Sequence, residues 1–246
     1  MPRGTLVAIW ALLALWLGAV VLGIVLRAWD WPRDGDAIII TSGSRSSPIT
    51  VSLTDQLFGD LGREHRPSTR PSSSPFDALF RQAGSLFVFA ALSCRVLLTR
   101  LLSLGTVGGG ASQKETNAPS VAFVAVLYSA HAALRAALYQ LQVYLIRTRT
   151  IAGHIMSDHV LLSSCVLTGL LCELYVVLRE AVRHRGRRRV VLYAFGLVLV
   201  AVIVGLSMEV FATARFFHDW VDSLVAVGFG GLIFKWPAWR AVRGAG

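Results

Sequence analysis

The stretch RHRGRRRVVLYAFGLVLVAVIVGLSMEV, Arg183 to Val210, sets five arginines and a histidine directly before a long apolar run. A hydrocarbon core about 30 Å thick takes roughly 17 to 25 apolar residues to cross, and Val190 to Val210 meets that length. A short arginine-rich loop between two apolar spans marks the cytoplasmic side of a membrane. Working outward, about six such runs emerge: Leu6 to Leu26, Gly84 to Leu102, Pro119 to Tyr139, His159 to Leu178, Val190 to Val210 and Val221 to Phe234. The chain of 246 residues is 54% hydrophobic and only 15% charged, too apolar for an ordinary soluble domain. The expected fold class is all-α, a polytopic membrane protein with about six transmembrane helices.

An even number of spans puts both termini on the side of the basic loop, in agreement with Arg3 at one end and Lys235, Arg240 and Arg243 at the other. The first run is longer than the roughly 7 to 15 residues of a signal-peptide core, and no small-x-small cleavage site follows it. Residues 1–27 are therefore expected to be a retained anchor span. Residues 28–83, with strand candidates at Ile38–Ile40 and Ile49–Leu53 and a Pro/Ser run at Arg66–Pro75, read as a flexible segment on the opposite, lumenal side. Residues 84–246 form the helical membrane domain, with a Gly-rich linker at Gly105–Asn117. The net charge of +10 comes mostly from arginines at span ends, so membrane lipids, not nucleic acid, are the expected partners. Cys94, Cys165 and Cys172 fall inside spans and form neither a disulfide framework nor a zinc ribbon.

Polar residues within spans must face protein or water. Arg95 and Arg100 sit where long side chains snorkel to the basic surface. His131 and Arg135 share a helix face at a spacing of four, which Tyr139 and Gln142 continue. This stripe is either a hydrogen-bonding seam or a means of placing Arg135 below an anionic substrate. Gly228, Gly230 and Gly231 offer a small-residue face for close helix approach.

Two histidine boxes stand at span mouths on the side opposite the basic loop: Ser157-Asp158-His159, and Arg215-Phe216-Phe217-His218 followed by Asp222. At a spacing of four, Asp222 can accept one ring N–H of His218 and leave the other nitrogen free to attack. Asp158 would favour the protonated imidazole of His159, which suits a general acid. Arg147, Arg149 and Arg215, with helix N-termini opening at the same mouth, supply positive charge for a phosphate. His154, five residues before His159, reads as a loop residue.

These boxes resemble the second and third motifs of the lipid phosphatase and haloperoxidase superfamily, Pro-Ser-Gly-His and Ser-Arg-x5-His-x3-Asp. Within it the chain is closer to the fat-storage-inducing transmembrane proteins, through Ser157-Asp158-His159-Val160-Leu161-Leu162 and Thr213-Ala214-Arg215-Phe216-Phe217-His218. The resemblance implies a six-span endoplasmic-reticulum protein with both termini cytosolic. It implies His218 as nucleophile, Asp222 as its orienter and His159 as acid, with Ser157, Arg215, Arg149, Arg147 and Arg135 around the substrate and no metal or other cofactor. The implied chemistry is cleavage of fatty acyl-CoA at its diphosphate, in support of neutral-lipid storage in droplets, with phosphatidate dephosphorylation as the alternative. Departures from the superfamily pattern are the missing Lys-x6-Arg-Pro motif, Asp158 in place of glycine, and Arg215 three residues before the histidine instead of six.

Two other classes compete. His131, His154, His159 and His218 are enough imidazoles for haem, but a transmembrane dihaem protein pairs them at both membrane sides, and Arg135 near His131 opposes a metal. A non-catalytic scaffold binding diacylglycerol or triacylglycerol would use the same pocket without turnover. The absence of repeats and of paired broken spans argues against a transporter.

Overall fold

The computed structural model describes residues 3–30, 75–104, 120–150, 155–216 and 220–244. The strand candidates, the Gly-rich linker, His154 and His218 lie outside the described residues. The elements are helices throughout: α1 (Arg3–Asp30), α2 (Pro75–Leu104), α3 (Val121–Arg147), α4 (Asp158–Arg183), α5 (Arg187–Phe216) and α6 (Trp220–Gly230). A π-helical turn (Gly231–Lys235) then leads into α7 (Trp236–Gly244). Five stretches are long and apolar enough to cross a membrane: Gly4–Arg27, Val121–Arg147, Asp158–Arg183, Arg187–Phe216 and Trp220–Ala241. The protein is an all-α, multi-pass membrane protein. Helix α2 carries the apolar run from Gly84 but begins earlier, at Pro75, so the end of the segment expected to be a flexible linker is helical. Proline suits a first helical position, where its missing N–H would have no helical partner.

The bundle is organised around α4, which packs against every other helix. Every residue from Val160 to Val177 is buried. This explains how α4 can hold small polar side chains, Ser163, Ser164 and Thr168, and a carboxylate, Glu173, all of them buried. Only a helix enclosed by protein can hold such groups away from lipid. The helices around it turn aliphatic side chains outward, among them Leu17 and Val21 of α1 and Leu197 and Val198 of α5, all exposed.

Close approach is made where glycine stands. A Cβ on Gly23 of α1 would lie 2.8 Å from the Phe211 carbonyl oxygen of α5, and one on Gly230 would lie 2.6 Å from Ser164 Cβ on α4. The expected glycine face is thereby narrowed. Only Gly230 is in contact, because it continues the buried stripe Ser223–Ala226–Gly230, whereas a Cβ on Gly228 or Gly231 meets nothing. Gly230→Val is expected to push the last span off α4 at a cost of about 1–3 kcal/mol. Gly228→Ala is expected to be neutral or slightly stabilising. Thermal unfolding of the two variants in detergent checks both.

Arg95 does not snorkel. It is 4% exposed, and its Nε donates to Glu173 Oε2 at 2.6 Å. The Tyr128 hydroxyl, shared between two acceptors, donates to Glu173 Oε1 at 2.9 Å and to the Gly169 carbonyl at 3.1 Å. Arg95 faces α4 rather than running along α2 to the surface, so α2, α3 and α4 are joined by one buried polar cluster. Arg100, further along α2, is exposed.

The polar stripe of α3 is a seam. His131 is buried with its ring 5.3 Å from that of Phe234 in the π-helical turn. Arg135 pairs with Asp158, and Gln142 bonds to the backbone before α4. Tyr139 lies outside the contact and is exposed, with the Arg135 guanidinium 5.5 Å from its ring centre.

Candidate functional site

The site is built where α4 and α6 begin. Ser157 caps α4, its Oγ accepting from the Val160 N–H at 3.3 Å. Asp158 follows in the first turn, where a carboxylate suits the positive end of the helix dipole. The segment leading in is pinned on two sides. Gln142 of α3 donates to the Met156 carbonyl and accepts from the Met156 N–H, both at 3.1 Å. On the other side the Ser157 N–H donates to the Asp222 carbonyl at 3.1 Å. That last bond joins the two histidine boxes directly.

Chain direction completes the site. Helices α4 and α6 leave this joint in the same direction, while α3 and α5 end beside it. The mouth therefore combines two helix N-termini, whose free N–H groups and dipoles favour an anion. The basic turn at Arg183–Arg189 is at the far end of α4, so the described part of both boxes lies opposite it, as the topology anticipated.

Among the expected site residues, Ser157 is fully buried, while His159 and Asp222 are half-buried in the first turns of α4 and α6. Both His159 and Asp222 are engaged in interactions. Arg135 reaches across from α3 to Asp158 Oδ2, so that carboxylate oxygen is held by a cation from another helix. Asp158 Oδ1 and Arg135 Nε are buried without a hydrogen-bond partner among the described residues. Arg215 closes α5 half-buried, its guanidinium 5.0 Å from the Phe216 ring centre. Arg147 and Arg149 are exposed, and their side chains form no hydrogen bond or ion pair among the described residues. Arg149 turns the chain after α3 with a φ of 56°. His218 lies outside the described residues, between Phe216 and Trp220.

No protein-family model, curated protein or solved structure matches the chain. Function is therefore read from the site's own geometry. Buried serines continue the polar character inward. Ser223, one residue past Asp222, and Ser164, one face down α4, each have an Oγ without a hydrogen-bond partner among the described residues. Among those residues no group of three or more His, Cys, Asp or Glu is placed to hold a metal.

Sequence reasoning missed two ionisable positions. Glu173 was visible as a carboxylate in mid-span, a position normally kept for a reason. Lys235 was read as a terminal charge, yet its Nζ lies 3.7 Å from the centre of the Trp16 ring of α1. Nothing local in the sequence announces that contact, which the π-helical turn makes by rotating Lys235 toward α1.

Proposed function

We propose that the protein is a lipid phosphate hydrolase of the fat-storage-inducing type, cleaving fatty acyl-CoA at its diphosphate on the face opposite the basic turn. The observation that carries this reading is the hydrogen bond from the Ser157 N–H to the Asp222 carbonyl, which brings the two boxes to one mouth. His218 attacks phosphorus, forming a P–N bond as the P–O bond to the leaving half breaks. His159 gives its proton to that oxygen. Water then attacks the phosphohistidine, breaking the P–N bond and freeing His218 and phosphate, with His159 taking a proton from that water. Asp222 orients His218, while Arg135, Arg147, Arg149 and Arg215 with the two helix N-termini stabilise the phosphoryl oxygens. No metal enters the scheme. The reading includes six spans, with α2 as the second, both termini cytosolic, the site facing the endoplasmic-reticulum lumen, and a role in neutral-lipid storage.

The test is product release from fatty acyl-CoA and from phosphatidate by the purified full chain in liposomes, without added metal, beside His218→Ala and His159→Ala. Release from acyl-CoA that is lost in both variants supports the reading, and release from phosphatidate alone moves it to phosphatidate dephosphorylation. Folded protein with no turnover of either substrate sinks it and favours a lipid-binding scaffold.

A further inference from the structure

The end of the bundle opposite the site has a chemistry of its own. Helices α4 and the α6–α7 rod start together at the Ser157–Asp222 joint and still touch near their far ends, where the Tyr175 and Trp239 rings are 5.8 Å apart. Helix α7 therefore packs on α4 about two helical turns before the α4–α5 turn. Gly186, with a φ of 65°, reverses the chain within that turn, and presents Arg183, Arg185, Arg187 and Arg189 exposed. None of the four forms an ion pair among the described residues. On α7, Arg240 is exposed and lies 5.5 Å from the ring centre of Trp236, itself 61% exposed.

The positive charge here is only partly balanced by protein. Among the described side chains, the carboxylates toward this end are Glu173, fully buried on Arg95, and Glu180, half-buried. Glu180 Oε2 and Arg188 Nε, beneath the turn, are both buried without a hydrogen-bond partner among the described residues. His184 adds no charge at neutral pH, since burial and the nearby Arg188 and Arg183 hold its imidazole below the usual range. Arg189 lies over Tyr193 at 5.5 Å, so arginine–aromatic pairs flank the patch on α5 and α7. Aromatic rings of this kind sit at the headgroup level of a bilayer, and guanidinium groups bind phosphate oxygens in a bidentate manner.

We infer that the Arg183–Arg189 turn forms a binding surface for the phosphate headgroups of anionic phospholipids in the adjoining leaflet, with the Trp236–Arg240 pair of α7 on its hydrocarbon side. The surface is independent of the proposed hydrolysis, whose site lies at the other end of α4. Lipid is favoured over a soluble polyanion because the arginines of the turn lie immediately beyond two spans, α4 and α5, where headgroups are already present, with Arg189 over the half-buried Tyr193 ring. Each arginine near a charged bilayer surface strengthens the association by roughly fivefold.

The test is native mass spectrometry of the full chain in detergent, titrated with phosphatidylglycerol or phosphatidylcholine. Phosphatidylglycerol is expected to bind more tightly, and less so as salt rises. Replacing Arg185, Arg187 and Arg189 together by glutamine is expected to weaken its binding by about a hundredfold. The same three changed to lysine should retain most of it. Wild-type elution and melting of the glutamine variant confirm that it folds. Equal binding of the two lipids, or phosphatidylglycerol binding that survives the glutamine changes, overturns the proposal. So does displacement of the lipid by a stoichiometric RNA oligonucleotide, which would assign the patch to a soluble polyanion.

Discussion

Glu173→Leu is expected to cost about 3–5 kcal/mol of stability, the usual penalty for stranding one member of a buried ion pair. Arg95 would then lie 4% exposed without its ion-pair partner, at the contact of α2 with the central helix. Tyr128 would keep its bond to the Gly169 carbonyl but lose the one to Glu173. Arg95→Leu should do comparable damage from the other side, leaving a carboxylate within the bundle. The double variant Arg95→Leu/Glu173→Leu should recover most of the loss, because two desolvated charges are replaced by apolar groups of similar bulk. Thermal unfolding of the four proteins in one detergent gives the complete cycle. If Arg95→Leu alone melts with the wild type, the arginine reaches water along α2 and the buried pair is not what holds that helix.

The same pair shows where sequence reading stops. Arg95 and Glu173 are 78 residues apart, and α2 read in isolation offers an arginine near a span end, for which snorkelling is the ordinary solution. Only the position of α4 at the centre makes the pairing necessary, and hydropathy alone does not reveal it, since α1 and α5 are more uniformly apolar yet lie at the lipid face. The sign was the polar content of α4, where Ser163, Ser164, Thr168 and Glu173 require surrounding protein. The meeting of the histidine boxes was more legible. Each stands at the mouth of a span, and an alternating chain puts both mouths on one side; that they adjoin comes from the packing of α6 on α4. The Arg135–Asp158 pair was half legible: the spacing from His131 gives the face of α3, but not which carboxylate the face meets. The π-helical turn was invisible, because residues 231–234 continue an apolar run with no proline or polar break before Lys235.

At the site, His159→Ala is expected to lower kcat by about 10²–10⁴-fold while leaving KM within a few fold. The substitution keeps the Ser157 cap and the Arg135–Asp158 pair, neither of which uses the imidazole, and removes the proposed acid. Asp222→Asn is the sharper probe. The bond that joins α4 to α6 uses the Asp222 carbonyl and not its side chain, so the asparagine variant keeps that bond and removes the carboxylate's charge. A carboxylate that orients an attacking histidine stabilises the imidazolium and fixes its tautomer, and an amide does neither. A fall in kcat on the order of 10³–10⁴ is expected, with melting unchanged. If both groups act on one phosphoryl transfer, as proposed, the double variant should be far less impaired than the product of the two single effects. A rise in KM at constant kcat for either variant would make that residue a binding group. Full turnover in Asp222→Asn would remove Asp222 from the chemistry and leave it the part its backbone already plays, holding the two boxes together.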